Sequence, residues 1–144
     1  MTKKTIVGLV EQVKIVGKKR VRILGKFDTG ARKTSIDHDL VEKLNFKKQG
    51  MVTIENVHGK SKRQLVKIKL MIRGRLFKIY ANIANRSSRR FKILLGRDVI
   101  FNNFAIDISK SHNSPNVADL KKRNQIKLYK FFPLKKKRLS VKQS

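Results

Sequence analysis

At 144 residues, with 40% hydrophobic and 7% aromatic side chains, the chain suits one compact domain with a tail and excludes a second full core. Its 37 Lys and Arg against 9 Asp and Glu give a formal net charge of +28, which points to a polyanionic partner, nucleic acid before acidic peptide. The lack of cysteine excludes disulfides and thiolate catalysis.

Residues 5–109 read mainly as strands, so the expected fold class is all-β. The runs "TIVGLVEQVKIV" and "RVRILGKF" come first; in the second, Val21, Ile23 and Phe27 share a face opposite Arg20, Arg22 and Lys26. "SIDHDLVEKL" follows as a short helix near 37–45, with Ser35 or Asp37 as its cap. "MVTIENV", "QLVKIKLMI" and "LFKIYANIA" continue the strands; in the last, Phe77, Ile79, Ala81 and Ile83 alternate with Lys78, Tyr80 and Asn82. Turns are expected at residues 17–19, 58–60, 73–75 and 85–88. A second short helix is expected near 97–103, before the strand "AIDI". Val21, Ile23, Phe27, Ile68, Leu70, Ile79, Ile93 and Leu95 are the expected core.

The composition changes after Ser109. Residues 110–144 carry 11 Lys and Arg against one acid, Asp119, a net +10. This basic C-terminal arm reads either as a solvated tail or as a segment that orders on RNA. No uninterrupted apolar run approaches the roughly 20 residues of a membrane span. The opening "MTKKTIVGLVEQV", broken by Glu11 and Gln12, does not read as a signal peptide. The expectation is a cytoplasmic protein with no membrane partner.

One stretch carries possible chemistry. Asp28-Thr29-Gly30 sits where a strand ends. A carboxylate can activate water for amide hydrolysis if a second carboxylate shares its proton, because two like charges about 3 Å apart do not both ionise. Gly30 allows a tight turn, and the Thr29 hydroxyl can brace the loop. One copy supplies one carboxylate, so catalysis requires an isologous homodimer that sets Asp28 against its own copy.

Some sixty residues later comes "FKILLGRDVIFNNFAIDIS", an apolar strand entering Gly96-Arg97-Asp98. The pair of motifs resembles the retroviral-type aspartic peptidases, the retropepsins. The resemblance covers roughly residues 5–109. It implies a curled β-barrel with one or two short helices, a hairpin flap at about 55–62, and Asp28, Thr29 and Gly30 as the catalytic motif. Within that fold, "DTGARKTSI" and "FKILLGRD" are most similar to a microbial group labelled "ATP-dependent zinc protease". That group is associated with the ligases that add glutamates to proteins, which implies a poly-glutamate substrate. The zinc label has no counterpart here: there is no His-Glu-x-x-His, and His38, His58 and His112 stand in unrelated contexts. No metal or cofactor is expected. The flap sequence "ENVHGKSKR" departs from the glycine-rich viral pattern, with one glycine and several cations.

The charge favours a binding role as the main reading: a ribosome-associated protein on a retropepsin-like fold, its partners ribosomal RNA and neighbouring ribosomal proteins. The peptidase is the alternative. In the arm, Lys121, Lys122, Arg123 and Lys127 are expected on phosphates, as are Lys130, Lys135, Lys136, Lys137 and Arg138. Tyr129, Phe131 and Phe132 would anchor it by stacking or packing. On the domain, Lys18, Lys19 and Arg20, then Lys60, Lys62 and Arg63, then Arg89 and Arg90 are expected in turns from which long cations reach a backbone.

Overall fold

The computed structural model describes residues 3–110. Its elements, in chain order, are β1 (Thr5–Val7), β2 (Val10–Val16), β3 (Arg20–Phe27), β4 (Ser35–Asp37), α1 (His38–Lys43), β5 (Lys48–Asn56), β6 (Gly59–Ile72), β7 (Arg75–Ala84), β8 (Ile93–Leu95), α2 (Arg97–Ile100) and β9 (Phe104–Ile106). The expected arm, with Lys121 to Arg138 and its three aromatics, lies outside the described residues.

Hydrogen bonding runs β2-β3-β8-β4-β7-β6, and β6 pairs back onto β2, which closes a six-stranded barrel. The closing register sets Lys14 against Met71, Ile15 against Leu70 and Val16 against Lys69. Side chains along a strand alternate between faces, so this register sends Ile15 and Leu70 inward together. Val13, Ile36, Val66, Ile68, Ile72, Ile93 and Leu95 join them, each essentially inaccessible. Full burial of one such side chain stabilises the fold by about 1.5–3 kcal/mol. Of the expected core, Phe27, Ile68, Leu70, Ile93 and Leu95 are buried, while Val21, Ile23 and Ile79 pack on the rim, partly covered.

β1 and β9 form a separate parallel pair. Phe104 from β9 meets Phe27 at 5.4 Å and Phe77 at 5.6 Å between ring centres, joining this pair to the barrel core. β6 turns into β7 through Arg73 (φ 50°) and Gly74 (φ 78°), the two positive φ values that a type I′ hairpin needs.

Asp37, not Ser35, caps α1: its carboxylate accepts from Asp39 N at 3.2 Å. α2 is one turn, shorter than expected, because Phe101 leaves helical backbone (ψ 122°) and Asn102 adopts φ 62°. Asn82 corrects the outward assignment on β7. It is 2% exposed, because Ser35, Arg63 and the Thr34 carbonyl all close on its amide.

Candidate active site

β3 delivers the chain to Asp28. The Asp28 amide donates to the Leu95 carbonyl at 2.8 Å, one step beyond the Phe27–Leu95 register of β3 and β8. The chain then turns tightly. Ala31 N donates to Asp28 O at 3.2 Å, and Gly30 N donates to Asp28 Oδ1 at 2.9 Å. A Cβ on residue 30 would stand 3.2 Å from that oxygen, so glycine keeps the approach to the carboxylate open.

The second motif locks this loop from below. Arg97 N donates to Ala31 O at 2.8 Å and Asp98 N to Arg32 O at 3.2 Å. In return the Asp98 carboxylate accepts from Thr34 N at 3.1 Å and from the Thr34 hydroxyl at 2.8 Å. The same hydroxyl accepts from Gly96 N at 3.1 Å. The two motifs are therefore one hydrogen-bonded unit. The bracing hydroxyl within the chain is Thr34's: Thr29 is exposed, and its hydroxyl has no partner among the described residues.

Above Asp28 opens a cleft of about 540 Å³, lined on its far side by Thr53, Ile54, Glu55 and Asn56 of β5. These residues belong to the β5–β6 hairpin, in which Glu55 pairs with Lys60 and Asn56 with Gly59. At its tip His58 N donates to Asn56 Oδ1 at 2.8 Å, Gly59 takes φ 118°, and Val57 is 93% exposed. The expected flap thus stands over the carboxylate, free to meet whatever occupies the cleft.

Five cations line the cleft, Arg32, Lys33, Arg63, Arg86 and Arg97, against two carboxylates, Asp28 and Glu55. Two of the five are built in. Arg63 Nη1 donates to Asn82 Oδ1 at 2.9 Å, an oxygen that also accepts from Ser35 Oγ at 2.8 Å. Asn82 Nδ2 donates to Thr34 O at 3.2 Å. Arg86 Nε donates to Phe91 O at 2.7 Å, and Arg86 N to Asp37 Oδ1 at 2.6 Å. Burial pushes the Arg86 guanidinium down from its ordinary value; Arg89 adds to this and Asp37 opposes it.

The other cations expected in turns divide. Lys18 and Lys19 occupy the β2–β3 turn, and Arg89 and Arg90 the exposed loop before β8. Arg20 opens β3, and Lys60 and Lys62 lie along the hairpin arm. Arg63 corrects its turn assignment: it pairs with Val52 inside the arm and reaches the cleft. Asn82, Thr34 and Arg86 carry no signal in the sequence, since no local pattern marks a side chain whose partner lies tens of residues away. Among the described residues no three His, Cys, Asp or Glu side chains gather as a metal would require, and no helix is long and apolar enough to cross a membrane.

No family model and no curated protein matches the chain. Solved structures do. A Legionella pneumophila protein of unknown function is similar over 77% of this chain and 98% of its own, at 22% identity and TM-score 0.58. The EIAV protease, solved in complex with an inhibitor, is similar over 63% and 83%, at 20% identity and TM-score 0.52. The simian foamy virus protease aligns over 62% and 90%, at 19% identity and TM-score 0.47. The closed six-stranded barrel, the hairpin over Asp28 and the likeness to EIAV protease give the chain a retropepsin-like aspartic-peptidase fold.

Proposed function

We propose that the chain is an aspartic peptidase that works as an isologous homodimer on peptides rich in acidic side chains. The observation that carries this is Asp28: a half-buried carboxylate, held by Gly30 N at 2.9 Å, at the floor of a hairpin-covered cleft. The similarity of the fold to EIAV protease supports it. None of the similar structures speaks for ribosomal RNA, so the peptidase stands ahead of the ribosomal reading.

In the dimer, Asp28 and the partner subunit's Asp28 hold one proton between them. The ionised carboxylate takes a proton from water as the water oxygen attacks the peptide carbonyl carbon. The protonated one gives its proton to the carbonyl oxygen, and a gem-diol forms. On collapse, a gem-diol proton returns to the second carboxylate, the first protonates the amide nitrogen, and the C–N bond breaks. The pair again holds one proton. The cleft's five cations against Glu55 favour Asp or Glu side chains in the bound peptide.

The test is cleavage of glutamate-rich peptides by the full chain and by Asp28→Asn, with sedimentation run alongside. Cleavage only by the parent, and only under conditions where it dimerises, is the expected result. Equal cleavage by Asp28→Asn, or a fully active monomer, would sink the reading.

A further inference from the structure

The outer face of the barrel is distinct from the cleft. Four neighbouring strands, β3, β2, β6 and β7, present cations at outward positions in register. Lys14 stands opposite Arg22 across β2–β3, and Lys69 stands opposite Lys78 across β6–β7. Val16 links the two rows by pairing with both Arg20 and Lys69. Directly opposed side chains on an antiparallel pair have Cβ atoms about 4.5–5.5 Å apart, and like charges there are destabilising. No ion pair among the described residues relieves Lys14, Arg22, Lys69 or Lys78. The single acid on these four strands, Glu11, has the parity of Val13 and Ile15 instead, and its carboxylate turns to Gly8 N and Arg73.

The same face carries an aromatic. Tyr80 is 45% exposed, stands opposite Lys67, and has the Lys67 ammonium 6.0 Å from its ring centre. None of these residues lines the Asp28 cleft. A sheet face that sets cations around an open aromatic ring suits a single strand of nucleic acid: phosphates neutralise the rows while an unstacked base lies on the ring. A duplex offers no free base face, and an acidic peptide has no flat π-face to lie on the ring. The exposed Gln12 amide and the Tyr80 hydroxyl add polar groups able to meet a 2′-hydroxyl.

We infer that the outer face of β3-β2-β6-β7 is a binding platform for single-stranded RNA, with Lys14, Arg22, Lys69 and Lys78 on phosphates and Tyr80 beneath a base. The site is independent of the peptidase cleft.

The experiment uses the full chain and a fluorescent single-stranded RNA oligomer, titrated by anisotropy at several salt concentrations. A face variant (Lys14→Gln, Arg22→Gln, Lys69→Gln, Lys78→Gln) is compared with a control of equal net charge that replaces Lys4, Lys43, Lys47 and Lys110, all exposed. The face variant should bind on the order of 10²-fold more weakly at 0.1 M salt, with a log–log salt slope shallower by about 0.7 for each phosphate no longer neutralised. The control should stay within a few-fold of the parent. Tyr80→Ala should weaken RNA binding about tenfold while leaving a sulfated polysaccharide bound as before, and Tyr80→Phe should bind RNA like the parent. Relief of the opposed charges should also raise the thermal midpoint of the face variant. Equal weakening in face variant and control would overturn the inference. So would tighter binding of poly-glutamate, anionic vesicles or single-stranded DNA than of RNA at the same salt. Cleavage of acidic peptides should be the same in the face variant as in the control of equal net charge, so failure here and failure of the peptidase reading are read separately.

Discussion

The Thr34 hydroxyl donates to Asp98, 64 residues away, at 2.8 Å and accepts from Gly96 N at 3.1 Å, tying the Asp28 loop to Gly96-Arg97-Asp98 as one unit. Thr34 is fully buried, so Thr34→Val leaves the buried Gly96 amide without an acceptor and strips one donor from Asp98. The expected loss is about 1–3 kcal/mol, read as a lower denaturant midpoint with unchanged slope. Thr34→Ser keeps the hydroxyl and should lose less. A valine variant as stable as the parent would contradict the bracing role.

Gly96 is constrained by contact rather than by torsion. Its φ of −94° suits any residue, but a Cβ there would stand 2.5 Å from the Lys33 carbonyl carbon and 2.7 Å from its oxygen. Those are backbone atoms of the loop at residues 28–34 and do not swing aside. Gly96→Ala should therefore cost about 1–3 kcal/mol by overpacking and displace the loop, with peptide cleavage falling along with stability. A thermal midpoint equal to the parent's would show that the loop yields without strain.

Asp28→Asn retains an oxygen to accept from Gly30 N, so the thermal midpoint should barely move. Cleavage should fall by about 10²-fold or more, the usual weight of a positioned acid or base. Cleavage by the asparagine variant at the parental rate would point to different chemistry.

Arg63 reaches into the cleft while Asn82 is separately held by Ser35 and Thr34. Arg63→Gln should therefore leave the floor of the cleft intact and remove one cation from it. For a glutamate-containing peptide, KM should rise about tenfold, equivalent to about 1.4 kcal/mol, with little change for a neutral peptide. Equal effects on both peptides would mean that Arg63 holds the cleft open rather than selecting charge.

Two copies of a chain carrying +28 must meet for Asp28 to find its partner. Their repulsion is screened beyond roughly 8 Å at physiological ionic strength and reaches further in dilute salt. The dimer fraction at fixed protein concentration should rise between about 0.05 and 0.5 M salt. Cleavage should rise with it until salt weakens the hold on an acidic peptide. Analytical ultracentrifugation alongside the activity assay separates the two effects; a dimer that dissociates as salt is added would reverse the argument.

Period-two alternation, punctuated by Gly-Lys and Arg-Gly turns, by itself determined that residues 5–109 form a β domain with Phe27, Ile68, Leu70, Ile93 and Leu95 inside. Asp28-Thr29-Gly30 and Gly96-Arg97-Asp98 were likewise legible, because a glycine-bearing turn between a strand and a helix is a local event. Alternation assigns a residue to a face but does not say what covers that face. Asn82 looked solvent-facing and is buried, because the Ser35 and Arg63 side chains and the Thr34 carbonyl close on its amide. Arg63 looked like a turn cation and lies in the cleft, because the hairpin has already turned at 57–58 and Arg63 sits within the returning strand, paired with Val52. The bracing hydroxyl fell to Thr34 rather than Thr29, because only barrel closure brings Asp98 and Gly96 against it. Partners separated by 47 to 64 residues leave no trace in local periodicity. They exist only once the apolar strands have closed on one another and the buried polar groups have had to find each other.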